Sequence, residues 1–425
     1  MKKFFLFVLA AVLMACCNKD AQVAQTAHPD WAYNSTIYEL NTRQFTPEGT
    51  FAAAEAELPT LKELGVDIIW VMPIQPIGKI TRKGSLGSYY SIIDYCDFNP
   101  EFGTREDFES FVATAHKLDM FVILDWVANH TAPDSKWTEN EGWHYRDSLG
   151  NLMVQYDWTD ISKLDYHNSD MRAEMKRCMR WWMEEIGIDG FRCDVAHQIP
   201  VAFWKPMFER FRKDFPGTYY LAEGENPELH HAFDASYAWE LHHLMNDVAQ
   251  GKQAAKELSA YILKDDSIAK TVPANYWRLT FTSNHDENSW AGTEMARMGE
   301  SHRLMAMLTF TLPHSQPLIY TGQEVGFDHR FEFFDKDESP VWTANDYTDF
   351  YAFLSELRHT HPALAPEAAF ELIPFPSDSC LAFRRIAGTD TVSVFANLSH
   401  TPVTYDDTLV EPSQAVLALS DDYAF

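Results

Sequence analysis

Several things are scarce in this chain of 425 residues, and each scarcity excludes something. There is no apolar run of about 20 residues, so no segment reads as a membrane-spanning helix. Positive charge is in short supply: 34 Lys and Arg stand against 62 Asp and Glu, for a formal net charge of −28. A surface that acidic is a poor match for nucleic acid, whose phosphates are held by Lys and Arg, and for anionic membrane faces. Cysteines number 6, with no CxxC pair and no metal-ligand spacing. Cys96, Cys178, Cys193 and Cys380 are scattered, so they read as free, mostly buried thiols rather than a disulfide framework. No Gly-rich loop follows a strand-like run, which removes the usual signature of a dinucleotide or phosphate cradle. Internal repeats and low-complexity tracts are missing too, apart from a short polar stretch near the start.

What is present is a large apolar fraction, 46%, and an aromatic content of 14% with 13 Trp and 18 Tyr. That suffices for a sizeable core, and it also supplies flat apolar platforms of the kind that bind sugar rings. A neutral partner fits this composition best. At the N-terminus Lys2 and Lys3 precede the apolar run Phe4 to Met14, too short to span a bilayer. It ends in "LMAC", so residues 1–15 read as a lipoprotein signal with Cys16 as the lipidated residue and 16–30 as a polar tether. The expected location is a bacterial cell envelope, with lipid as the only membrane contact.

From residue 35 onward, strand-like runs alternate with amphipathic stretches. The runs are 35–40, 67–73, 120–126, 189–194, 218–224, 232–238, 278–286 and 317–324. Helices are expected over 51–64 with a proline break, 104–118, 168–187, 201–214, 251–263, 294–310 and 347–359. Eight strands in βα alternation predict a parallel (β/α)8 barrel. Two segments break the rhythm. Residues 131–166 are a long polar and aromatic insertion after strand three, and connections of that length are usually functional. From about residue 363 the pattern turns to short strands, "AAFELIPF", "CLAFRRI", "TVSVFANLS" and "AVLAL", which predict a small antiparallel β domain over 363–425. The barrel then comprises 31–130 and 167–362.

In such a barrel the chemistry lies at the C-terminal strand ends. There the sequence places Asp125, Asn129 and His130 (strand three), Arg192 and Asp194 (four), Glu223 (five), and Asn284, His285 and Asp286 (seven). A strand-end aspartate is often only a helix cap. Convergence from four strands is harder to explain that way. Arg192 and Asp194 lie two residues apart on a strand, so they share a face, and buried charges must be paired or used. Paired carboxylates without a cofactor motif suit retaining glycoside hydrolysis: one attacks the anomeric carbon while the other, protonated, donates to the leaving oxygen.

The segments "DWVANH" (125–130), "GFRCDVAH" (190–197), "LAEGEN" (221–226) and "FTSNHDE" (281–287) resemble, in order and placement, the four signature regions of the α-amylase family, glycoside hydrolase family 13. "GVDIIWVMPI", "SYYSIIDYCDFNPEFGT", "KLDY" and "YTGQEVGF" agree, so the resemblance covers roughly 31–360. It implies that Asp194 is the nucleophile, Glu223 the general acid and base, and Asp286 the third carboxylate, gripping sugar hydroxyls. Arg192 would hold Asp194 ionised, with Asp125 supporting it. His130 and His285 would hydrogen-bond the same ring, on which Tyr90 stacks, with neighbouring Tyr89 the competing register. His197 would line the leaving-group side. In the insertion, Trp137, Trp143, Tyr145 and Trp158 are candidate sugar platforms, and Cys193 should pack in the core.

The family's calcium site implies Asn129 and the carbonyl of His197 as ligands, with Asp157, Asp160 and Asp165 as further candidates, although no cofactor is expected to be required. The short insertion resembles relatives that degrade cyclodextrin, maltodextrin and pullulan. The expected activity is that of a retaining hydrolase acting on α-1,4 bonds of malto-oligosaccharides. A transglycosylase of the same family and a non-catalytic glycan-binding lipoprotein are the alternatives.

Overall fold

The computed structural model describes residues 28–272, 276–420 and the backbone of 423–424. The signal segment, Cys16 and the tether up to residue 27 lie outside the described residues.

The eight expected strands are all present: β1 (Ile37–Leu40), β2 (Ile68–Val71), β3 (Phe121–Trp126), β4 (Gly190–Cys193), β5 (Tyr219–Ala222), β6 (Ala235–Tyr237), β7 (Trp277–Thr280) and β8 (Ser315–Tyr320). They pair in parallel, each with its sequence neighbour, and β8 returns to β1 to close a barrel. Register places Asp125 beside Arg192 and Arg192 beside Leu221. Alternation along the strands sorts side chains into two shells. Ile37, Ile68, Trp70, Ile123, Tyr219, Leu221, Tyr237, Trp277 and Leu279 fill the interior. Ile69, Val122, Leu124, Phe191, Cys193 and Tyr220 face outward into the core beneath the helices. Cys193 is therefore core packing, as its position opposite Arg192 required. Gly190 opens β4 because a Cβ there would meet the carbonyl oxygen of Tyr219 at 1.8 Å.

The helices follow local signals. Arg105–Lys117 starts at a capping box between Thr104 and Asp107. The 51–64 stretch divides into Phe51–Ala56 and Leu58–Glu63, with Pro59 in the first turn of the second piece, where its missing N–H costs nothing. Ser169–Trp181 runs into a π-helical turn, Trp182–Ile186, that ends on Gly187 at φ 81°. Two expectations need correction. The helix expected over 294–310 is broken into Glu294–Met298 and His302–Thr311 by Gly299, at φ 54°. The β6 strand is followed by Trp239–Ala249, an unexpected helix, and the one expected at 251–263 begins later, as Lys256–Ala269.

The start of the described chain is docked rather than loose. His28 stacks on Trp277 at 3.5 Å and pairs with buried Asp234 at 3.0 Å, so residues 28–30 belong to the barrel floor, not the tether. At the other end, Ala369–Leu372, Cys380–Ala387, Asp390–Asn397, Gln414–Leu419 and Tyr423–Ala424 form an antiparallel sheet, with an unforeseen hairpin of Val403–Tyr405 and Thr408–Val410. Fully buried Arg385 joins this sheet to the barrel, donating to the carbonyls of Thr311 (2.9 Å) and Leu312 (2.7 Å).

Candidate active site

The site is built around Arg192, fully buried on β4. Its Nη1 donates to Asp125 Oδ1 at 2.9 Å and Asp194 Oδ1 at 3.1 Å. Its Nε donates to the Tyr237 hydroxyl at 3.1 Å. Its Nη2 lies 2.9 Å from Glu223 Oε2, but the N–H is not aimed at that oxygen, so this contact is an ion pair rather than a hydrogen bond. The rings of Trp70, Tyr237 and Tyr90 surround the guanidinium at 5.0, 5.4 and 5.9 Å. One cation thus serves three carboxylates inside an aromatic cage, an arrangement that offsets the desolvation of a buried charge.

Asp194 and Glu223 lie one residue past the ends of β4 and β5, where the ladder still holds the backbone: Asp194 N–H donates to Trp126 O (3.0 Å) and Glu223 N–H to Cys193 O (3.0 Å). Val195 then takes left-handed φ 43°, a costly conformation for a β-branched residue. The turn aims its N–H at Glu223 Oε2, 2.8 Å away. Burial and the neighbouring Glu223 charge push Asp194 well above the usual aspartate range. Burial also pushes Glu223 up, but Arg192 and the Val195 N–H outweigh it and bring Glu223 below its usual value.

Asp286 follows the end of β7, its side chain 38% exposed to the cleft, with Oδ2 3.5 Å from His285 Nε2. The Tyr90 hydroxyl bridges Asp125 Oδ2 (3.0 Å) and His285 Nε2 (2.8 Å), and its ring stacks on His285 at 5.3 Å. The register question is settled for Tyr90: Tyr89 packs under Arg43 at 4.2 Å and donates to Asn41. The two histidines differ in charge. Burial holds His130 down at about 4, so it is neutral. Burial also acts against the charged form of His285, but Asp286 and Glu39 overcome it and raise it to about 9. Glu39 is fully buried on β1, 2.5 Å from His285 Nδ1.

Asp194, Glu223, Asp286, Tyr90, His130, His197 and His285 line one cleft of about 720 Å³. Arg192 and Asp125 do not line it; both are fully buried and reach it through Asp194 and Tyr90, so they support the site rather than touch the sugar. Of the four insertion aromatics singled out from the sequence, Trp158 alone lines the cleft. Trp137 is buried against Tyr95 at 4.6 Å, and Trp143 packs on Trp137 at 5.1 Å. Tyr145 stays with His167 and Lys163. The cleft gains Tyr156, Trp290, Phe333 and Phe334, which the sequence did not single out. Glu39 was missed as well, although a charge inside the strand-like run "STIYEL" is the same signal that marked Arg192.

Two of the carboxylates named for calcium are already paired. Asn129 turns its Nδ2 to Gln155 Oε1 (2.7 Å) and His130 Nδ1 (3.1 Å). Asp160 faces the Lys83 ammonium at 3.2 Å, and Asp165 is bound to His167 at 2.8 Å. Calcium needs six to eight oxygen ligands, and no cluster of three or more His, Cys, Asp or Glu suited to a metal occurs among the described residues.

A (β/α)8 barrel with three carboxylates and an aromatic-lined cleft at the C-terminal ends of its strands defines a carbohydrate-active enzyme fold with its site in the expected place. The α-amylase catalytic-domain family matches residues 27–142 and 138–349, and the chain belongs to that family. It is 28% identical over 402 residues to α-amylase MalA of Haloarcula japonica, covering 88% of this chain and 57% of that protein. It is 26% identical over 421 residues to an α-1,4-glucan:maltose-1-phosphate maltosyltransferase of Salinibacter ruber, covering 87% and 60%. The crystal structure of an α-amylase from Lactobacillus plantarum superposes with a TM-score of 0.82 at 30% identity, covering 90% of this chain and 98% of that one. The chain spans well under two thirds of the length of the Haloarcula protein.

Proposed function

We propose that this protein is a retaining hydrolase of α-1,4-linked malto-oligosaccharides. The observation that carries the reading is the meeting of Asp194, Glu223 and Asp286 in one cleft, with Arg192 behind the first two. Asp194 attacks C1 of the glucosyl unit as Glu223 gives its proton to the leaving oxygen. Glu223 then takes a proton from water, which cleaves the glycosyl–Asp194 ester. This needs the proton on Glu223 and the charge on Asp194, beside which Nη1 of Arg192 lies at 3.1 Å. The His285 imidazolium and Asp286 bind the hydroxyls of the same ring, over Tyr90.

Transfer to a sugar hydroxyl is the second reading, favoured by the maltosyltransferase among the relatives. Product analysis on maltoheptaose separates the two: products longer than the substrate mark transfer, shorter ones alone mark hydrolysis, and no change in either direction refutes both. Retention of all three carboxylates argues against a purely glycan-binding role. An envelope location through lipidated Cys16 is proposed from residues 1–16 alone. Loss of incorporated radiolabelled palmitate in Cys16→Ser is the expected result, and equal labelling would refute it.

A further inference from the structure

Residues 79–86 form a strap between the insertion and the loop after β8. On the insertion flank, Lys79 N–H donates to Asp134 Oδ2 (2.8 Å) and Thr81 Oγ1 to Thr159 O (2.8 Å). The Lys83 ammonium lies 3.2 Å from Asp160 and donates to Asp157 O at 3.4 Å. On the other flank, Ser85 N–H donates to Asp335 Oδ1 (2.8 Å) and Leu86 N–H to Phe334 O (3.1 Å). The Lys83 ammonium stands 5.8 Å from the Phe334 ring. No gap is left between strap and loop: a Cβ on Gly84, which sits at φ 60°, would meet Phe334 Cβ at 2.5 Å. Lys83 and Phe334 both line the cleft, so the strap is a wall of it.

The part of the cleft next to the acid is marked by His197, which sits 3.3 Å from the Glu223 carbonyl. Glu223 protonates the leaving oxygen, so the leaving part of the chain departs past His197. The glucosyl unit held by Tyr90, His285 and Asp286 points the other way, toward Phe333, which stacks with Tyr90 at 6.3 Å, and then toward the strap.

Resting on the α-glucan reading of the site, we propose that the strap closes the glycone end of the cleft. The enzyme then works from the non-reducing end of a glucan, releasing short units, rather than cutting within the chain. Its specificity resides in Lys83, Asp160 and Phe334, none of which touches the reacting atoms.

The test uses the whole protein and two probes: p-nitrophenyl maltoheptaoside, and the same compound blocked at its non-reducing end by a 4,6-O-ethylidene group. Products are followed by chromatography of the nitrophenyl label. The open probe should lose short units, leaving the label first on long fragments. The blocked probe should be cleaved at least about 100-fold more slowly in kcat/KM. Equal cleavage of both, with label on fragments of all lengths from the start, overturns the proposal. Cleavage of neither removes the α-glucan reading and this inference with it, an outcome distinct from equal cleavage. In a Lys83→Ala, Phe334→Ala double variant the blocked-to-open rate ratio should rise about tenfold or more, about 1.4 kcal/mol. The ratio is internal to each preparation, so partial misfolding does not disturb it. An unchanged ratio overturns the assignment to the strap.

Discussion

Glu39→Gln tests whether a buried carboxylate on β1 sets the charge of the ring-binding histidine. In the structure His285 lies between two anions, with Glu39 2.5 Å from Nδ1 and Asp286 3.5 Å from Nε2. Arg192 acts against its protonation, and so does burial. The balance raises His285 from 6.5 to about 9, a preference for the imidazolium of about 3.4 kcal/mol. Burial pushes Glu39 up while the His285 charge pulls it back down, leaving it above the usual glutamate value. Between the two titrations the pair is an ionised Glu39 with a protonated His285. A glutamine keeps an oxygen that can accept from Nδ1–H but removes the charge, leaving Asp286 as the one adjacent anion. The His285 titration should then fall to between about 7 and 8, a loss of about 1.4–2.7 kcal/mol.

The assay is the pH dependence of kcat/KM, which reports groups of the free enzyme, with the His285 ring followed by NMR. Wild type should hold its activity up to about pH 9, where His285 loses its proton, and the variant's alkaline limb should begin at least about one unit lower. The sign for stability is the same. His285 is raised in the folded state, so its contribution is complete below 6.5 and lost as the pH rises through about 9. An unmoved His285 titration in Glu39→Gln, or a neutral His285 in wild type at pH 7, would refute the reasoning.

Other outcomes follow from neighbouring features. Asp194→Ala should cut kcat by about 10⁴-fold or more while leaving maltoheptaose binding measurable by calorimetry, because covalent catalysis is lost but the aromatic cleft remains; substantial residual turnover would speak against its role. Activity should survive exhaustive chelation, since Lys83 pairs with Asp160 and His167 with Asp165; loss reversed by added calcium would overturn this. Burial pushes Glu324, bonded to Tyr38 at 2.8 Å, up to about 8. Because its folded pKa is raised, stability falls as pH climbs from 4.5 toward 8. Glu324→Gln should therefore raise Tm at pH 9 by more than at pH 5, and an equal effect at both would show the group is not neutral when folded.

Strand runs, the broken 51–64 helix and the change of pattern near 363 were legible because each depends on local chemistry: β-branched and aromatic runs, a proline, short alternations. Misplaced helices lay where neighbours decide. Gly299 breaks a stretch whose composition reads as one continuous helix, and Trp239–Ala249 is defined by packing on Phe281 more than by its own pattern. Among site residues, those at strand ends were found because barrel geometry puts strand ends in one place. Glu39 was not, since its partner is 246 residues away. Trp158 could not be told from Trp137 or Trp143 by type, because all are aromatics in one insertion and only the packed loop decides which face the cleft.

The sequence by itself determined the barrel, the carboxylates at its strand ends and the shared face of Arg192 and Asp194, because strand periodicity and βα alternation are written residue by residue. Only the tertiary structure decided which carboxylates share Arg192, which histidine is charged and where the cleft is walled. Those depend on burial and on distances of a few ångströms between groups remote in the chain, and the electrostatics of a buried pair is set by such distances rather than by residue type.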